Sequence, residues 1–309
     1  KKVEASRNFA NKLWNASRFI LMNLSEDFQY TGLPSNLTIE DKWLISKFNT
    51  LAKEVNENLE KFELGIAAQK IYDFIWGEFC DWYIEMAKSR LYSENKQEKA
   101  QVSYVLNYVL RNSLKLLHPF MPFITSEIYS RLVNPDDKDL MISDWPKANN
   151  LAEYDTSKDF IENLKDVITQ IRNVRANMNV HPSKKAKLIF VTTEYKEDVL
   201  QSKAFIEKLG FANEITIQDN KDNIPQNAIS IISNGMEVYI PFEELVDVEE
   251  EKKRLEEEKK KVLAEIERAS KMLANPGFVN KAPEAKINEE KAKLAKYQDM
   301  LKSIEERLK

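Results

Sequence analysis

Residues 7–20, RNFANKLWNASRFI, decide how the first part of the chain folds. Phe9, Leu13, Ala16 and Ile20 recur at intervals of three or four residues. That spacing places side chains on one face of an α-helix. The segment therefore predicts an amphipathic helix that buries this face against neighbouring helices.

The same helical spacing of apolar residues continues to about residue 133. Thr38, followed by Glu40 and Asp41, is typical of a helix start, with a hydroxyl cap and acids in the first turn. His118-Pro119 predicts an interruption, because proline disfavours helix in the residue before it. The predicted helices contain residues 9–20, 43–62, 71–86, 102–117 and 120–132. We assign residues 1–150 to a helical bundle.

A small α/β domain is predicted over residues 151–246. It begins with an amphipathic helix at 156–178, after which the hydrophobic pattern changes. Asn234-Gly235, between two apolar runs, is a strong signal for a β-hairpin. The remaining predicted elements are strands at 188–191, 214–217, 229–233 and 236–240 and a helix at 194–209.

Residues 247–309 carry 16 basic and 15 acidic residues among 63, with apolar residues repeated every seven. The repeats are Val248, Leu255, Val262 and Ala269, then Ile287, Leu294, Leu301 and Leu308. Two prolines and a glycine lie in the separating segment 274–283, which predicts an antiparallel coiled-coil hairpin. Lys252 and Lys259 fall on the apolar seam, so we expect a splayed base or packing on another part. The predicted fold class is mainly α: a helical bundle, a small α/β domain, and this hairpin.

Composition excludes several classes of site. The 309 residues include six glycines, no two within six residues of each other, which excludes GxGxxG and Walker phosphate loops. One cysteine and two histidines cannot supply the roughly four ligands of a structural zinc site, and no disulfide can form within the chain. This cysteine usage is typical of a reducing, cytoplasmic location. No apolar run approaches the roughly 20 residues of a membrane span.

No catalytic residue or metal site is predicted. His118 and His181 each precede a proline, and Cys80 lies among aromatic residues, so we expect structural roles for all three. The chain begins Lys1-Lys2-Val3 without methionine and enters a helical pattern at once. We therefore expect a piece of a longer protein.

The first helix carries a candidate nucleic-acid-binding face opposite its apolar stripe. Asn and Lys can hydrogen-bond to base edges, Arg can pair with phosphate, and an exposed Phe can stack on an unpaired base. The alternative is an ordinary solvated face with Phe19 buried. The candidate residues are Asn8, Lys12, Asn15 and Phe19, flanked by Arg7, Asn11 and Arg18.

Two further segments could bind nucleic acid. In Glu78–Glu85, EFCDWYIE, Asp81 and Glu85 could accept a base amino group, or form salt bridges to a neighbouring helix. Residues 165–187 hold six basic residues and one acid, which predicts a phosphate-facing patch or a merely solvated surface. The basic residues are Lys165, Arg172, Arg175, Lys184, Lys185 and Lys187.

Several motifs resemble the valyl-tRNA synthetase family. The resemblance keeps its order along essentially the whole chain. The bundle motifs are shared loosely with the isoleucine and leucine enzymes, whereas the heptad hairpin with NPGFVNKAP at its tip points to valine. The matching segments are Arg7–Phe19, Glu78–Glu85, Leu117–Tyr129, Phe242–Asp247 and Leu273–Pro283.

The resemblance implies the C-terminal part of a class I enzyme that joins valine to its tRNA using ATP with Mg. The HIGH and KMSKS signatures of the catalytic domain do not occur in this sequence. The chain is therefore expected to bind tRNA without catalysing a reaction and without a cofactor of its own. It is also expected to be a monomer that binds neither DNA nor membranes.

The resemblance also implies particular contacts. Phe19 is expected to stack on an anticodon base and Ile84 to pack against another, while Lys12 and Glu85 hydrogen-bond to base edges or phosphate. Arg7, Asn15, Arg18 and Asp81 are neighbouring candidates. The charge pattern of residues 165–187, rather than the resemblance, predicts that the tRNA backbone meets Arg172, Arg175, Lys184 and Lys185. The resemblance implies that the coiled coil places Lys271, Lys281 and Lys286 against the outer corner of the tRNA.

Two other interpretations also fit the sequence. The heptads could pair with another chain, which would make the chain a coiled-coil interaction module. The chain could also come from the isoleucyl or leucyl enzymes. The isoleucine family, however, commonly ends in a cysteine-based zinc site that one cysteine cannot build, and it lacks this hairpin.

Overall fold

The computed structural model describes residues 2–24, 28, 30–132, 137–147, 154–245, 248–275 and 283–307. Within the first 150 residues, the helices are α1 (Lys2–Asn23), α2 (Ile39–Glu60), α3 (Leu64–Asp73), a π-helix (Phe74–Tyr83), α4 (Ile84–Leu91), α5 (Lys96–Leu117), α6 (Pro122–Tyr129) and a 3₁₀ turn (Leu140–Ile142). The predicted bundle is confirmed. Its boundary at residue 150 lies outside the described residues and stays a prediction.

The helix-start signal at Thr38 is confirmed by a capping box. The Asp41 side chain accepts a hydrogen bond from the Thr38 backbone nitrogen at 3.2 Å. The predicted interruption at His118-Pro119 is also confirmed, because α5 ends at Leu117 and α6 begins at Pro122.

The predicted single α-helix over residues 71–86 is wrong in its middle. Its central ten residues, FIWGEFCDWY, form the π-helix, which continues α3 and runs directly into α4. In a π-helix the backbone hydrogen bond spans five residues instead of four, so each turn is wider. The five aromatic side chains of this segment and Gly77 fall in that wider turn.

The α/β part contains α7 (Asp155–Asn177), β1 (Ala186–Val191), α8 (Lys196–Gln201), α9 (Lys203–Leu209), β2 (Ala212–Gln218), β3 (Ile229–Ser233), β4 (Met236–Ile240) and α10 (Phe242–Leu245). The sheet order is β2-β1-β4-β3, with β1 and β2 parallel and the other pairs antiparallel. The predicted helix at 194–209 is instead two short helices, because Ser202 turns the chain between them.

One hydrophobic core runs through both the bundle and the α/β part. Helix α7 contacts α2 on one side and β3 on the other. Phe160 and Leu164 on α7 are fully buried, as are Trp43 and Phe48 on α2. The sheet is therefore held firmly against the bundle through α7.

The hairpin at Asn234-Gly235 is confirmed, and its tip is tied to its surroundings. The Asn163 side chain on α7 donates to the Asn234 carbonyl at 3.0 Å, and the Thr192 hydroxyl donates to the Gly235 carbonyl at 2.7 Å. Gly235 has a φ of 76°, and a Cβ there would lie 2.5 Å from a ring carbon of Tyr195. Only glycine fits this position.

The predicted antiparallel hairpin of helices is present as α11 (Val248–Ala274) and α12 (Glu284–Arg307), which pack against each other. Val262 and Ile304 form its buried centre. Lys259, expected to open the seam, instead pairs with Glu305 across it at 2.7 Å. Leu308 and the side chains of Val248, Leu255 and Lys252 lie outside the described part.

Within the described ranges, no helix combines the length and the apolar character that crossing a membrane requires.

We predict that Gly235→Ala lowers the free energy of unfolding by about 1–3 kcal/mol, because alanine is strained at positive φ and its Cβ collides with Tyr195. Urea denaturation followed by circular dichroism measures this. The matched control is Gly65→Ala in α3, where a Cβ meets nothing within 4 Å. That control should be neutral or stabilising by up to about 1 kcal/mol, and equal losses in both variants would contradict the explanation.

Candidate nucleic-acid interface

A groove of about 640 Å³ runs between α1 on one side and the π-helix and α4 on the other. We call it the α1 groove. It gathers six of the eight residues predicted to contact an anticodon. Its lining comprises Asn8, Asn11, Lys12, Asn15, Ala16, Phe19, Trp76, Cys80, Asp81, Ile84, Glu85 and Lys88.

At one point along the groove, Lys12 joins its two walls. Its ammonium lies 2.5 Å from Asp81 Oδ1 and 3.9 Å from the centroid of the Trp76 ring. Asp81 therefore forms a salt bridge to a neighbouring helix, which is one of the two roles that the sequence predicted for it. Asp81 remains half exposed despite this pair, so a ligand can still reach it.

A second, similar arrangement involves Phe19. Lys88 Nζ lies 2.5 Å from Glu85 Oε1 and 5.5 Å from the centroid of the Phe19 ring. Phe19 is half-buried and packs partly on the core while it also lines the groove, and its stacking on a base stays a prediction. Ile84 is only 6% exposed, so it contributes to the floor of the groove rather than a projecting contact.

The remaining two predicted anticodon residues lie elsewhere on α1. Arg7 is exposed outside the lining of the α1 groove. Arg18 lines a separate cleft of about 440 Å³ between α1 and α6, together with Trp14 and Arg131. The structure therefore does not bring these two arginines together with the groove residues.

Trp76 and Lys88 are groove residues that the sequence analysis missed. Trp76 lies in the π-helix, so its phase relative to Asp81 and Glu85 does not follow α-helical spacing. A signal for Lys88 was available, since it follows Glu85 by three residues, a spacing at which opposite charges pair on a helix.

Cys80 lines the groove, but its thiol is not an activated nucleophile. Burial raises the pKa of its thiol to about 12, so it stays protonated at neutral pH.

His118 and His181 each have one ring nitrogen close to a hydroxyl oxygen. His118 Nδ1 lies 2.8 Å from Thr125 Oγ1, and His181 Nδ1 lies 2.7 Å from Ser183 Oγ. In the part of the chain that the structure describes, no three or more His, Cys, Asp or Glu residues cluster to hold a metal ion.

The predicted basic patch at 165–187 divides into structural and exposed members. Arg175 is 4% exposed and donates to the carbonyl oxygens of His181, at 3.1 Å, and Lys184. Lys165 pairs with Glu78 at 2.6 Å. Both side chains already have partners within the protein. The burial of Arg175 does not favour its predicted contact with a phosphate.

Arg172 and Lys185 are the exposed members of this patch, and Lys184 is half-buried. The Arg172 guanidinium lies 5.5 Å from the Trp82 ring, and its Nε donates to the Leu209 carbonyl at 3.2 Å. Burial lowers the pKa of Arg172, and the negative charge of Glu85 opposes that effect. Arg172 therefore lies near Glu85, on the α4 side of the groove.

On the helical hairpin, Lys271 and Lys286 are exposed. Lys271 pairs with Glu267 on its own helix, at 2.5 Å. Such an exposed pair is weak in water and is easily exchanged for a phosphate. Lys281 lies outside the described residues.

A polar cluster joins α2, the π-helix and α7 beneath the groove. The Trp43 indole donates to Glu162 at 2.9 Å, and Lys47 lies 3.0 Å from the same carboxylate. Burial acts to raise the pKa of Glu162. The Trp43 hydrogen bond and the charges of Lys165 and Lys47 outweigh that effect and lower the pKa to about 2.

Comparison with known protein families agrees with this architecture. Residues 41–190 match the anticodon-binding domain of tRNA ligases. This segment runs from the start of α2 through α7 into β1, and it includes the π-helix and α4 wall of the groove. The class of protein is therefore an aminoacyl-tRNA synthetase.

The second match assigns the family within that class. Residues 247–309 match the tRNA-binding arm of valyl-tRNA synthetase. This segment is the helical hairpin. The chain belongs to the valyl-tRNA synthetase family and corresponds to its C-terminal part.

Individual relatives agree along the whole chain. The valine–tRNA ligases of Clostridium acetobutylicum, Clostridium perfringens and Clostridium tetani are 47%, 45% and 44% identical to it. These matches cover 99%, 99% and 100% of this chain but 35% of each relative. The chain thus spans about a third of the length of the relatives it matches.

We predict that Glu162 makes stability depend on pH between about 4.5 and 2. Its pKa is lowered in the folded protein to about 2, so the stability it contributes is present above pH 4.5 and is lost as pH falls toward 2. Urea denaturation at several pH values should show a steeper loss for the wild type than for Glu162→Gln.

The matched control for this prediction is Asp166→Asn on the exposed side of the same helix. It should follow the wild-type curve, and parallel curves for the wild type and Glu162→Gln would contradict the role of Glu162.

Proposed function

We propose that this chain binds a valine-accepting tRNA, holding the anticodon loop in the α1 groove and the outer corner of the tRNA on the helical hairpin. The observation that carries the proposal is the groove itself. Aromatic rings, lysines and carboxylates converge there within a chain whose bundle matches an anticodon-binding domain.

The groove has the chemistry that unpaired bases require. An aromatic ring offers a stacking surface to any base, while side-chain donors and acceptors distinguish base edges. Phe19 supplies the ring, and Lys12, Asn15 and Glu85 supply donors and acceptors along the same lining. Arg7 and Arg18 on α1 are exposed but lie outside the groove lining, so we assign them no base contact.

For the whole protein, we propose the joining of valine to tRNA, the activity that the name of the similar valine–tRNA ligases states. We further propose that this reaction uses ATP with Mg. This chain holds neither a GxGxxG nor a Walker phosphate loop, and the HIGH and KMSKS strings do not occur in it. We therefore assign binding and positioning of tRNA to this chain, and we derive no catalytic step from it. The compartment we propose is the cytoplasm, which cell fractionation tests.

The packing of the helical hairpin does not favour the alternative function, in which its heptads pair with another protein chain. Its seam residues Val262 and Ile304 bury each other within one chain. The heptads therefore have partners without a second chain, and we propose a monomer. The arm match also favours the valine enzymes over the isoleucine and leucine enzymes.

We predict that Phe19→Ala weakens binding to an RNA stem-loop carrying the valine anticodon by about 1–3 kcal/mol, the usual contribution of a base–aromatic stack. Fluorescence anisotropy at fixed salt measures the affinity. The matched control is Phe123→Ala on α6, because Phe123 is 90% exposed and lies outside the groove. Equal affinity of the wild type and a folded Phe19→Ala variant would remove the stacking role.

The same assay tests specificity and stoichiometry. A stem-loop with a changed anticodon and a DNA copy of the stem-loop should both bind more weakly than the valine stem-loop. Sedimentation velocity should give one chain per stem-loop. Equal affinity for all three ligands would contradict recognition of the anticodon.

We predict that the double variant Lys271→Ala, Lys286→Ala weakens binding of whole valine tRNA and leaves stem-loop binding unchanged. Two lost phosphate contacts should reduce the slope of log affinity against log salt by about one to two units. The charge-matched control is Lys260→Ala, Lys302→Ala, which changes exposed lysines nearer the base of the hairpin. Equal salt slopes for both double variants would place the arm contact elsewhere.

A further inference from the structure

Trp76 occupies an unusual position at the edge of the α1 groove. Its indole is half-buried and stacks on Tyr72, with ring centroids 5.7 Å apart and ring planes 17° apart. Tyr72 in turn contacts the buried Phe9 ring at 4.7 Å. A row of three aromatic rings therefore runs from the bundle core to the groove and holds Trp76 in a fixed orientation.

The outer end of this row is covered by a charged side chain. The Lys12 ammonium lies 3.9 Å from the Trp76 ring centroid, and Asp81 holds it there at 2.5 Å. Both members of this ion pair are partly exposed, at 23% and 51%. An ion pair in contact with water exchanges its partner readily, so Lys12 is a movable cover on a rigid ring.

Phe19 offers a comparable but more open ring. The nearest ammonium, that of Lys88, is 5.5 Å from its centroid rather than 3.9 Å. Lys12 and Phe19 are seven residues apart on α1, which is about 10 Å along the helix. Stacked bases lie about 3.4 Å apart. The groove therefore has room for two bases that are splayed away from each other.

We propose that Trp76 is a second base-stacking residue of the α1 groove and that Lys12 covers it in the free protein. An entering unpaired base displaces the Lys12 ammonium from the indole, and Lys12 then contacts a base edge or phosphate of the same RNA. This inference rests on the proposed function, because it places the anticodon loop in this groove.

The direct test is ¹⁹F NMR of the wild-type chain labelled with 5-fluorotryptophan. The sequence contains five tryptophans, and Trp76→Phe and Trp14→Phe assign two of the five resonances. Addition of the valine anticodon stem-loop should shift the Trp76 resonance. It should leave the Trp14 resonance in place, because Trp14 lines the separate α1–α6 cleft. An unshifted Trp76 resonance at saturation overturns the proposal.

The second test is affinity. Trp76→Leu should weaken stem-loop binding about 5- to 150-fold, the range for losing a base–aromatic stack, while Trp76→Phe should retain most of it. Trp14→Leu is the matched control and should bind as the wild type does. Thermal melting monitors folding of each variant. A folded Trp76→Leu variant with wild-type affinity overturns the proposal.

The covering role of Lys12 has its own test in Asp81→Asn. If Asp81 holds the cover in place, its neutralisation should tighten stem-loop binding by up to about fivefold, the range for releasing an exposed ion pair. Weaker binding would mean that Asp81 contacts the RNA itself, and it would overturn the covering role.

The outcomes separate this inference from the proposed function. A wild-type chain that does not bind the stem-loop overturns both. Binding that depends on Phe19 but neither shifts the Trp76 resonance nor responds to Trp76→Leu overturns only the second stacking site.

Discussion

The geometry of the groove depends on a buried ion pair between Asp41 and Arg90. Asp41 is fully buried, and Arg90 donates to both of its carboxylate oxygens, at 2.9 and 2.5 Å. The Tyr83 hydroxyl donates to the same carboxylate at 2.6 Å, and Glu40 lies 3.1 Å from the Arg90 guanidinium. Burial acts to lower the pKa of Arg90, but the charges of Asp41 and Glu40 outweigh burial and raise it. The start of α2 is thereby fastened to the end of the π-helix and to α4, which carry one wall of the groove.

A second polar cluster fixes the other side of that wall. Glu162 on α7 and Glu78 on the π-helix share Lys165 and Lys47, and Trp43 donates to Glu162. A group with this many partners keeps its charge when it is partly buried, because each partner stabilises the ionised form. The α/β part is therefore also a structural support for the groove, because α7 contacts the π-helix through Lys165 and Glu78.

Most of the fold follows from periodicity, whereas much of the groove does not. Apolar spacing predicted α1, α2 and α5, and Asn234-Gly235 predicted the hairpin, because those signals are local. The π-helix has no signal in the apolar spacing, and α-helical spacing does not bring Trp76 to the same face as Asp81. Arg175 shows the same limit, because a basic residue in a charged run can equally face a loop's carbonyl oxygens. The groove-facing set on α1 was predictable, whereas its partners across the groove were only partly so.

The paired charges of the groove suggest how affinity and specificity are divided. Its lining includes two lysines and two carboxylates, and each lysine is already paired with one of them. Such a lining attracts phosphate weakly by itself, and the chain as a whole has a net charge of −4. Under the proposed function, an RNA phosphate or base edge replaces these internal pairs, but only a base can also stack on the aromatic rings of the groove. Under the proposed function, general attraction to RNA comes from exposed basic residues elsewhere, such as those of the hairpin and Arg172. Backbone contacts there would set the position, and the groove would discriminate between bases.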